Sequence, residues 1–476
     1  MIPLHQIPHD PYFPQLPLLC DKQSMKDLFE QQMRHGNLLN QPACIQSLQI
    51  RHIRYKPGRY VMVLYGLIFQ QQPGQTDYPK TWYVRAFQRG KSQSDFQKVQ
   101  ACLTQKRQSD SFIVHFPEIE SIAWGFPYDR KIKTLPQALD QQRLRSQVIP
   151  SLLGPQRMAE WDLVDLVSKI IHYVPEHTCT MRVTQYLRHR SMEHFTVLSA
   201  FGKTFATGKG LDSYRTLQQL WDSQARQLGT LVIPEPLAFE AETNTLWQSG
   251  LKGTPLSNFP LSDPRMGGWM EKAGTTLATL HGTRLRDLPS HPVSDILTWL
   301  DDAIGILVSL RPACKEPLNQ LVAILKQQAA YLRSHPPVTL HGDPHRKNLF
   351  LQDKTVALID LDSLTTGPPL YDVGSCLASL WFRVALGEIS TPLAKTLSES
   401  FLNGYQSVMF WSFSEIEVTW HIAVFLITEQ ASRCATTFKA NHLDILDHLI
   451  HLAQSLLSGD VLFNGTQWQN KNCLSA

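Results

Sequence analysis

The chain reads as an α+β protein, strand-rich in its first half and mainly helical in its second. Three observations predict this. Runs of strand-forming residues closed by turns recur from about residue 48 to about 250. Helical periodicity takes over from about residue 260. Between those helices lies one short hairpin, from about 338 to 362, dense in chemistry-bearing side chains. At 476 residues the chain exceeds what one hydrophobic core supports, so two or three packed units are expected.

Taken in order, residues 1–47 form a proline- and glutamine-rich lead-in with one amphipathic stretch near Met25 to His35. Strands follow around Ile50–Tyr55, Tyr60–Tyr65 and Trp82–Phe87, with Lys56-Pro57-Gly58 as a turn and 71–80 as a loop. A helix is expected over Gln93–Gln105, then short strands near Ile113–Phe116 and Ile122–Phe126. The same order then recurs. Strands near Cys179–Tyr186 and Phe201–Ala206 precede a helix from Ser213 to about Gln227, and further strands lie near Leu231 and Leu246. Tyr55 with Tyr173, Pro57 with Pro175, Arg85 with Lys203 and Phe87 with Phe205 each lie 118 residues apart. This unbroken register predicts a duplicated strand-rich lobe. Helices are expected over Gly267–Gly282, Ile296–Leu310 and Leu318–Ser334, and after the hairpin over Cys376–Leu386, Leu393–Phe410, Glu415–Cys434 and Leu443–Leu457.

Composition excludes several function classes. The net charge of +4 is too small for the electrostatic footprint of a nucleic-acid or membrane-surface binder. No apolar run is long enough to span a bilayer, and the N-terminus lacks a basic segment leading into an apolar one. Eight scattered cysteines read as reduced thiols, so a cytoplasmic location is expected. The histidines show no H-E-x-x-H zinc spacing, and no G-x-S-x-G elbow is present.

The informative stretch is VTLHGDPHRKNLFLQDKTVALIDLDSLTTGPPLYDVG, Val338 to Gly374. Phosphoryl transfer needs a carboxylate to orient the acceptor hydroxyl and hard oxygen ligands for Mg²⁺. Asp343 and Asn348, four residues apart in between, have the spacing at which one compact loop supplies a base and a metal ligand. The return strand Val356–Ile359 then delivers Asp360, a second carboxylate, beside that loop.

HGDPHRKN followed by IDLD resembles the signature of the aminoglycoside phosphotransferase and choline kinase-like family, relatives of the protein kinases. The resemblance implies a two-lobe kinase-like fold, with a strand-rich small lobe, a helical large lobe and here an extra N-terminal small-lobe-like module. It implies Asp343 as the catalytic base and Asn348 and Asp360 as Mg²⁺ ligands. It also implies a structural His341, an assisting or locally bonded Asp362, and an Asp372 that fixes the loop and caps the following helix. For ATP, Lys203 in FGKTFATGKG is the expected phosphate-binding lysine, with Lys209, in the loop beyond, as its competitor. Backbone groups near Gln248 to Leu251 are expected to meet adenine. The glutamate that pairs with such a lysine is missing from the helix SYRTLQQLWDSQARQ, where Gln218, Gln219 and Asp222 are the substitutes.

The expected organisation is therefore a lead-in at 1–47, a non-catalytic small-lobe-like repeat or cap at 48–140, and an ATP-binding small lobe at 165–255. A helical catalytic lobe at 256–460 and a polar tail at 461–476 complete it. The expected activity is ATP- and Mg²⁺-dependent phosphorylation of a hydroxyl on a small metabolite such as a sugar, amino sugar or amino alcohol. A nucleotide- or partner-binding scaffold without turnover is the alternative.

Overall fold

The computed structural model describes residues 7–35, 45–69, 80–105, 112–353, 355–438 and 444–459; the polar tail and residues 71–79 of the expected loop lie outside the described residues. The chain opens with α1 (Leu16–Cys20) and α2 (Lys22–His35), followed by β1 (Ile45–Lys56), β2 (Tyr60–Phe69), β3 (Thr81–Ala86), α3 (Ser92–Gln105), β4 (Ile113–Phe116) and β5 (Ser121–Gly125). Then come α4 (Leu135–Ala138), α5 (Gln141–Arg143), α6 (Ile149–Glu160), β6 (Trp161–Val174), β7 (Thr178–His189), β8 (Phe195–Phe205), α7 (Lys209–Trp221), α8 (Gln224–Gln227), β9 (Pro236–Glu240) and β10 (Thr245–Ser249). The two five-stranded sheets have the same antiparallel design, ordered β1-β2-β3-β5-β4 and β6-β7-β8-β10-β9.

Two compact units divide the chain. The first takes the residues up to Gly210, with Glu240–Thr245 and a short stretch from Thr436; the second takes the rest. In the first unit, β2 (YVMVLYGLIF) lacks the period-two alternation of a half-exposed strand because both of its faces are covered. On one face Phe29 of α2 meets Tyr65, Trp82 and Phe116, with ring centroids 6.0, 5.6 and 5.2 Å away. On the other, Met62, Tyr83, Phe87, Ile122 and Trp124 pack with Phe96 and Val99 of α3. By contrast β7 alternates, burying Cys179, Met181, Val183 and Leu187.

The likeness of the two strand meanders extends into the segments that precede them. Asp10 Oδ2 accepts from the Tyr55 hydroxyl at 2.9 Å and from Gly58 N at 2.8 Å. Asp129 Oδ2 accepts from the Tyr173 hydroxyl at 2.7 Å and from Glu176 N at 2.9 Å. Each aspartate thus clamps the turn at the tip of its own first hairpin, and each is followed by a Leu-Pro helix start, at Leu16-Pro17 and at Leu135-Pro136.

The second unit continues with β11 (Thr254–Pro255), α9 (Met266–Gly282), α10 (Val293–Leu310), α11 (Lys315–Ala329) and β12 (Val338–Leu340). Next are β13 (Leu349–Gln352), β14 (Thr355–Leu358), β15 (Thr365–Gly367), α12 (Leu370–Ala385), α13 (Thr391–Gln406), α14 (Glu415–Phe425), α15 (Ser432–Thr437) and α16 (Leu446–Ser458). Glycine sets the close crossing of α9 and α13. A Cβ on Gly274 of α9 would collide with the Phe401 carbonyl of α13, and one on Gly404 of α13 with the Glu271 carbonyl of α9. The α+β class is as expected, and several boundaries are corrected. β6 starts at Trp161, ahead of residue 165. No strand forms at Leu231, because Pro234 and Pro236 interrupt that apolar run and the strand begins only at Pro236. Lys209 does not sit in a loop; it opens α7. α12 starts at Leu370, six residues early, because Pro369 enters the helix at its N-cap.

His421 of α14 is buried, with Nδ1 2.6 Å from the Glu417 carbonyl and Trp420 and Tyr371 rings beside it. Burial lowers its imidazole to about 4. The unfolded chain takes up this proton near pH 6.5 and the folded chain does not. Stability is therefore full above that pH and falls as pH drops towards 4, by about 3 kcal/mol from this group. Denaturant melts between pH 7 and 4.5 should show the decline, and His421→Leu should flatten it; an equal slope in the variant would contradict the assignment.

Candidate active site

The site grows from the open end of one hairpin. Leu349 and Leu358 are the terminal cross-strand pair of β13 and β14, and Ile359 N donates to the Asn348 carbonyl at 3.1 Å. Asn348, just before one strand, and Asp360, just past the other, are thereby set side by side. The loop leading in is folded by its own backbone. His345 N donates to the Asp343 carbonyl at 2.8 Å, and Asn348 N to the His345 carbonyl at 2.7 Å. Gly342 has φ +81°, and a Cβ there would stand 2.5 Å from the Ser363 carbonyl, so the position needs glycine both for conformation and for space.

Asp343, Asn348 and Asp360 are brought together in the second unit. Asn348 is 4% exposed, and its amide nitrogen donates to the Asp343 carbonyl at 2.9 Å and to Asp343 Oδ2 at 3.2 Å. That commits the nitrogen to Asp343 and leaves the amide oxygen as the atom suited to a hard cation. Asp360 holds φ 62° and ψ 48°, a left-handed conformation uncommon for a residue other than glycine, of the kind that clusters at functional sites. His345 Nε2 lies 2.8 Å from Asp343 Oδ1, and Lys347 Nζ 3.7 Å from Oδ2. Burial pushes the Asp343 carboxyl up, but the His345 hydrogen bond and the nearby positive charges outweigh it and hold the group below the ordinary aspartate value.

A second layer fixes the loop from beneath. Asp372, 2% exposed, accepts from His341 N at 2.6 Å and from Gly342 N at 3.0 Å. It sits within the first turn of α12 and fixes the loop before Asp343, as expected, but it does not cap its own helix, where Pro369 holds the N-cap. His281 Nε2 meets the same carboxylate at 3.1 Å, and its Nδ1 meets the Tyr405 hydroxyl at 2.7 Å. The wholly buried His341 accepts from Asp343 N at Nδ1 (3.3 Å) and donates from Nε2 to the Ile359 carbonyl (3.0 Å), tying the loop to the strand that delivers Asp360. His345, His281 and Tyr405 were missed by sequence reasoning. The D-x-H spacing after Asp343 offered a local signal for His345, whereas His281 and Tyr405 carry none.

The residues expected to hold nucleotide lie on other elements. Lys203 stands on β8 in the first unit, its Nζ 5.8 Å from the Phe205 ring centroid. Gln248 is on β10 and Leu251 in the segment after it, both in the second unit. Of the substitutes for the missing glutamate, Gln218 donates to the Tyr214 hydroxyl at 2.8 Å, and Gln219 accepts from Arg286 N at 2.9 Å. In the first sheet Arg85, at the position matching Lys203, pairs at 2.8 Å with the buried Glu176, which Arg130 and Lys131 also approach, at 3.4 and 3.6 Å. On the helices of the second unit Glu417 binds Arg333 and His335, Asp447 binds Arg311, and Glu429 accepts from Ser375.

A carboxylate, an amide and a second carboxylate thus stand at the mouth of one hairpin, backed by a helical bundle. Residues 210–411 match the model of a family described as "Phosphotransferase enzyme family", and over them the resemblance carried by HGDPHRKN and IDLD is borne out. No curated protein matches the chain. Solved structures similar to it include a choline/ethanolamine kinase family protein from Mesorhizobium loti, at 13% identity and TM-score 0.42, covering 67% of this chain and 96% of that one. A thermostable mutant of aminoglycoside phosphotransferase APH(4)-Ia aligns at 13% identity and TM-score 0.43, covering 65% of this chain and 98% of that one. Aminoglycoside phosphotransferase APH(3'')-Id from Streptomyces rimosus, in complex with ADP and streptomycin, aligns at 18% identity and TM-score 0.32, covering 55% and 90%. No helix among the described residues is long and apolar enough to cross a membrane.

Proposed function

We propose that this phosphotransferase uses ATP and Mg²⁺ to phosphorylate a hydroxyl of a small metabolite, such as a sugar, amino sugar or amino alcohol, in the cytoplasm. The observation that carries the reading is the placement of Asp343, Asn348 and Asp360 around one hairpin mouth. The donor set fits magnesium: an amide oxygen and a carboxylate are hard ligands, and two of them leave positions for phosphate oxygens and water. Bound there, Mg²⁺ supplies charge neutralisation for the transferred phosphoryl group. The chain's own residues do the rest. Asp343, kept ionised by His345 and Lys347, orients the acceptor hydroxyl and accepts its proton at a carboxylate oxygen. His345 fixes the direction of that carboxylate, and Asp372 holds the loop backbone from below. For the nucleotide we assign Lys203 to the phosphates and the backbone near Gln248 and Leu251 to adenine.

A scaffold without turnover is the second reading, favoured by the glutamine side chains that stand where a lysine-pairing glutamate is expected. ADP release from Mg·ATP, measured with sugars, amino sugars and amino alcohols in turn, separates the two. The phosphotransferase reading expects about tenfold or greater acceleration by at least one acceptor class, lost in Lys203→Met. Nucleotide bound without acceleration by any class would favour the scaffold.

A further inference from the structure

We propose that β6 pairs with the β6 of a second copy of this chain, antiparallel about a twofold axis at Val167, so that two five-stranded sheets join edge to edge. All the residues concerned lie in the first unit.

Sheet order leaves β6 at an edge: it pairs with β7, and among the described residues no strand takes its other side. Proteins blunt long open edges with proline, short strands or a polar surface, or cover them with another chain. β6 (WDLVDLVSKIIHYV) is fourteen residues long, contains no proline and has no buried residue. The strand in the matching place of the first sheet gives the contrast. β1 buries Ile45, Leu48, Ile53 and Tyr55, and its exposed positions are the polar Gln46, Gln49, Arg51 and His52. β6 instead exposes Val164, Val167 and Ile171, each by close to half. Its backbone also leans on surface side chains where an inner strand meets a neighbour. Leu166 N donates to Asp165 Oδ1 at 2.7 Å, and the Val164 carbonyl accepts from Arg145, which approaches Asp165 as well, at 2.8 and 3.8 Å.

Charge selects the occupant. Between two bulges, Asp165 to Ile170 pair regularly with Tyr186 to Met181 of β7. Asp165, Val167 and Lys169 share the outer face, since Leu166, Ser168 and Ile170 stand opposite the buried Gln185, Val183 and Met181. The run from Asp165 to Lys169 is therefore antisymmetric in charge about Val167. Two copies paired antiparallel there set each Asp165 beside the other copy's Lys169, and Val167 beside Val167. Val164 then meets the other copy's Ile170, apolar against apolar. Lys169 gains most from such a neighbour, because the residue opposite it on β7 is Arg182, a like charge and an unfavourable cross-strand pair. Slipping the register by one pair along the strand loses both ion pairs. Self-complementarity of this kind fits a second copy of the same chain, and a twofold contact closes at the dimer.

The interface is independent of the phosphotransfer reading, because none of its groups is Asp343, Asn348, Asp360 or Lys203. The test is sedimentation velocity of the full chain over a range of concentrations. The wild type is expected to reach twice the monomer mass. Lys169→Asp sets carboxylate against carboxylate at both symmetry-related contacts, and Asp165→Lys sets ammonium against ammonium. Each should raise the dimer dissociation constant about tenfold or more. Mixing the two variants should restore the dimer as a heterodimer, because a strand with two acids then faces a strand with two bases. A wild type that stays monomeric, single variants that associate as the wild type does, or a mixture no more dimeric than its components would overturn the proposal.

Discussion

Asp343→Asn is expected to lower turnover by about a hundredfold or more while Mg·nucleotide affinity changes little. The substitution keeps the size of the side chain and removes its charge. In the wild type Oδ1 faces His345 at 2.8 Å and Oδ2 faces the Asn348 amide at 3.2 Å, so the carboxylate is aimed from both sides. An asparagine there presents an amide nitrogen to one of those two donors and cannot accept a proton from a hydroxyl. Because the Asp343 carboxyl is held below its ordinary value, it stays ionised throughout the neutral range. The rate should therefore have no acid limb from this group within the neutral range. Single-turnover assays at saturating ATP measure the effect; turnover close to wild type would remove Asp343 from the base role.

Asp372→Ala should have the largest effect on stability, about 3 to 5 kcal/mol. The carboxylate is buried and holds two backbone N–H groups and His281, at 2.6, 3.0 and 3.1 Å. Alanine leaves those donors enclosed without partners, which costs far more than the loss of an exposed hydrogen bond. It also frees the backbone of His341 and Gly342, on which the aim of Asp343 depends. Asp372→Asn keeps one acceptor oxygen and should recover part of the loss. Thermal melts of both variants beside wild type decide the matter: a fall of about 10 °C is expected for alanine, with a smaller one for asparagine. Alanine melting within about 2 °C of wild type would show that the clamp contributes little.

What could be read from the sequence was local. Asp343, Asn348 and Asp360 lie within eighteen residues of one another, and hairpin geometry converts that spacing directly into proximity. The second layer was illegible for the opposite reason. His281 and Asp372 are 91 residues apart, and His281 and Tyr405 are 124 apart, so only the packing of α9 against α12 and α13 brings them together. The reading of YDVG held for the loop that Asp372 fixes and failed for the helix cap, because an aspartate near a helix start caps it when its own N–H groups are the nearest donors. Here the neighbouring loop supplies closer donors. The repeated strand order was anticipated from residues in a constant register of 118, yet the Asp10 and Asp129 clamps escaped notice. They are 119 apart, so a one-residue slip between clamp and strand breaks the register. Lys203 remains an assignment of sequence position on β8, and its test is the loss of acceptor-stimulated ADP release in Lys203→Met.

The most direct test of the magnesium–nucleotide site is calorimetric titration of the full chain with ATP, with and without Mg²⁺, beside Asp360→Ala. The account predicts binding that strengthens with Mg²⁺ in the wild type and loses that dependence in the variant. Equal magnesium dependence in both proteins, or no ATP binding by the wild type, would contradict it.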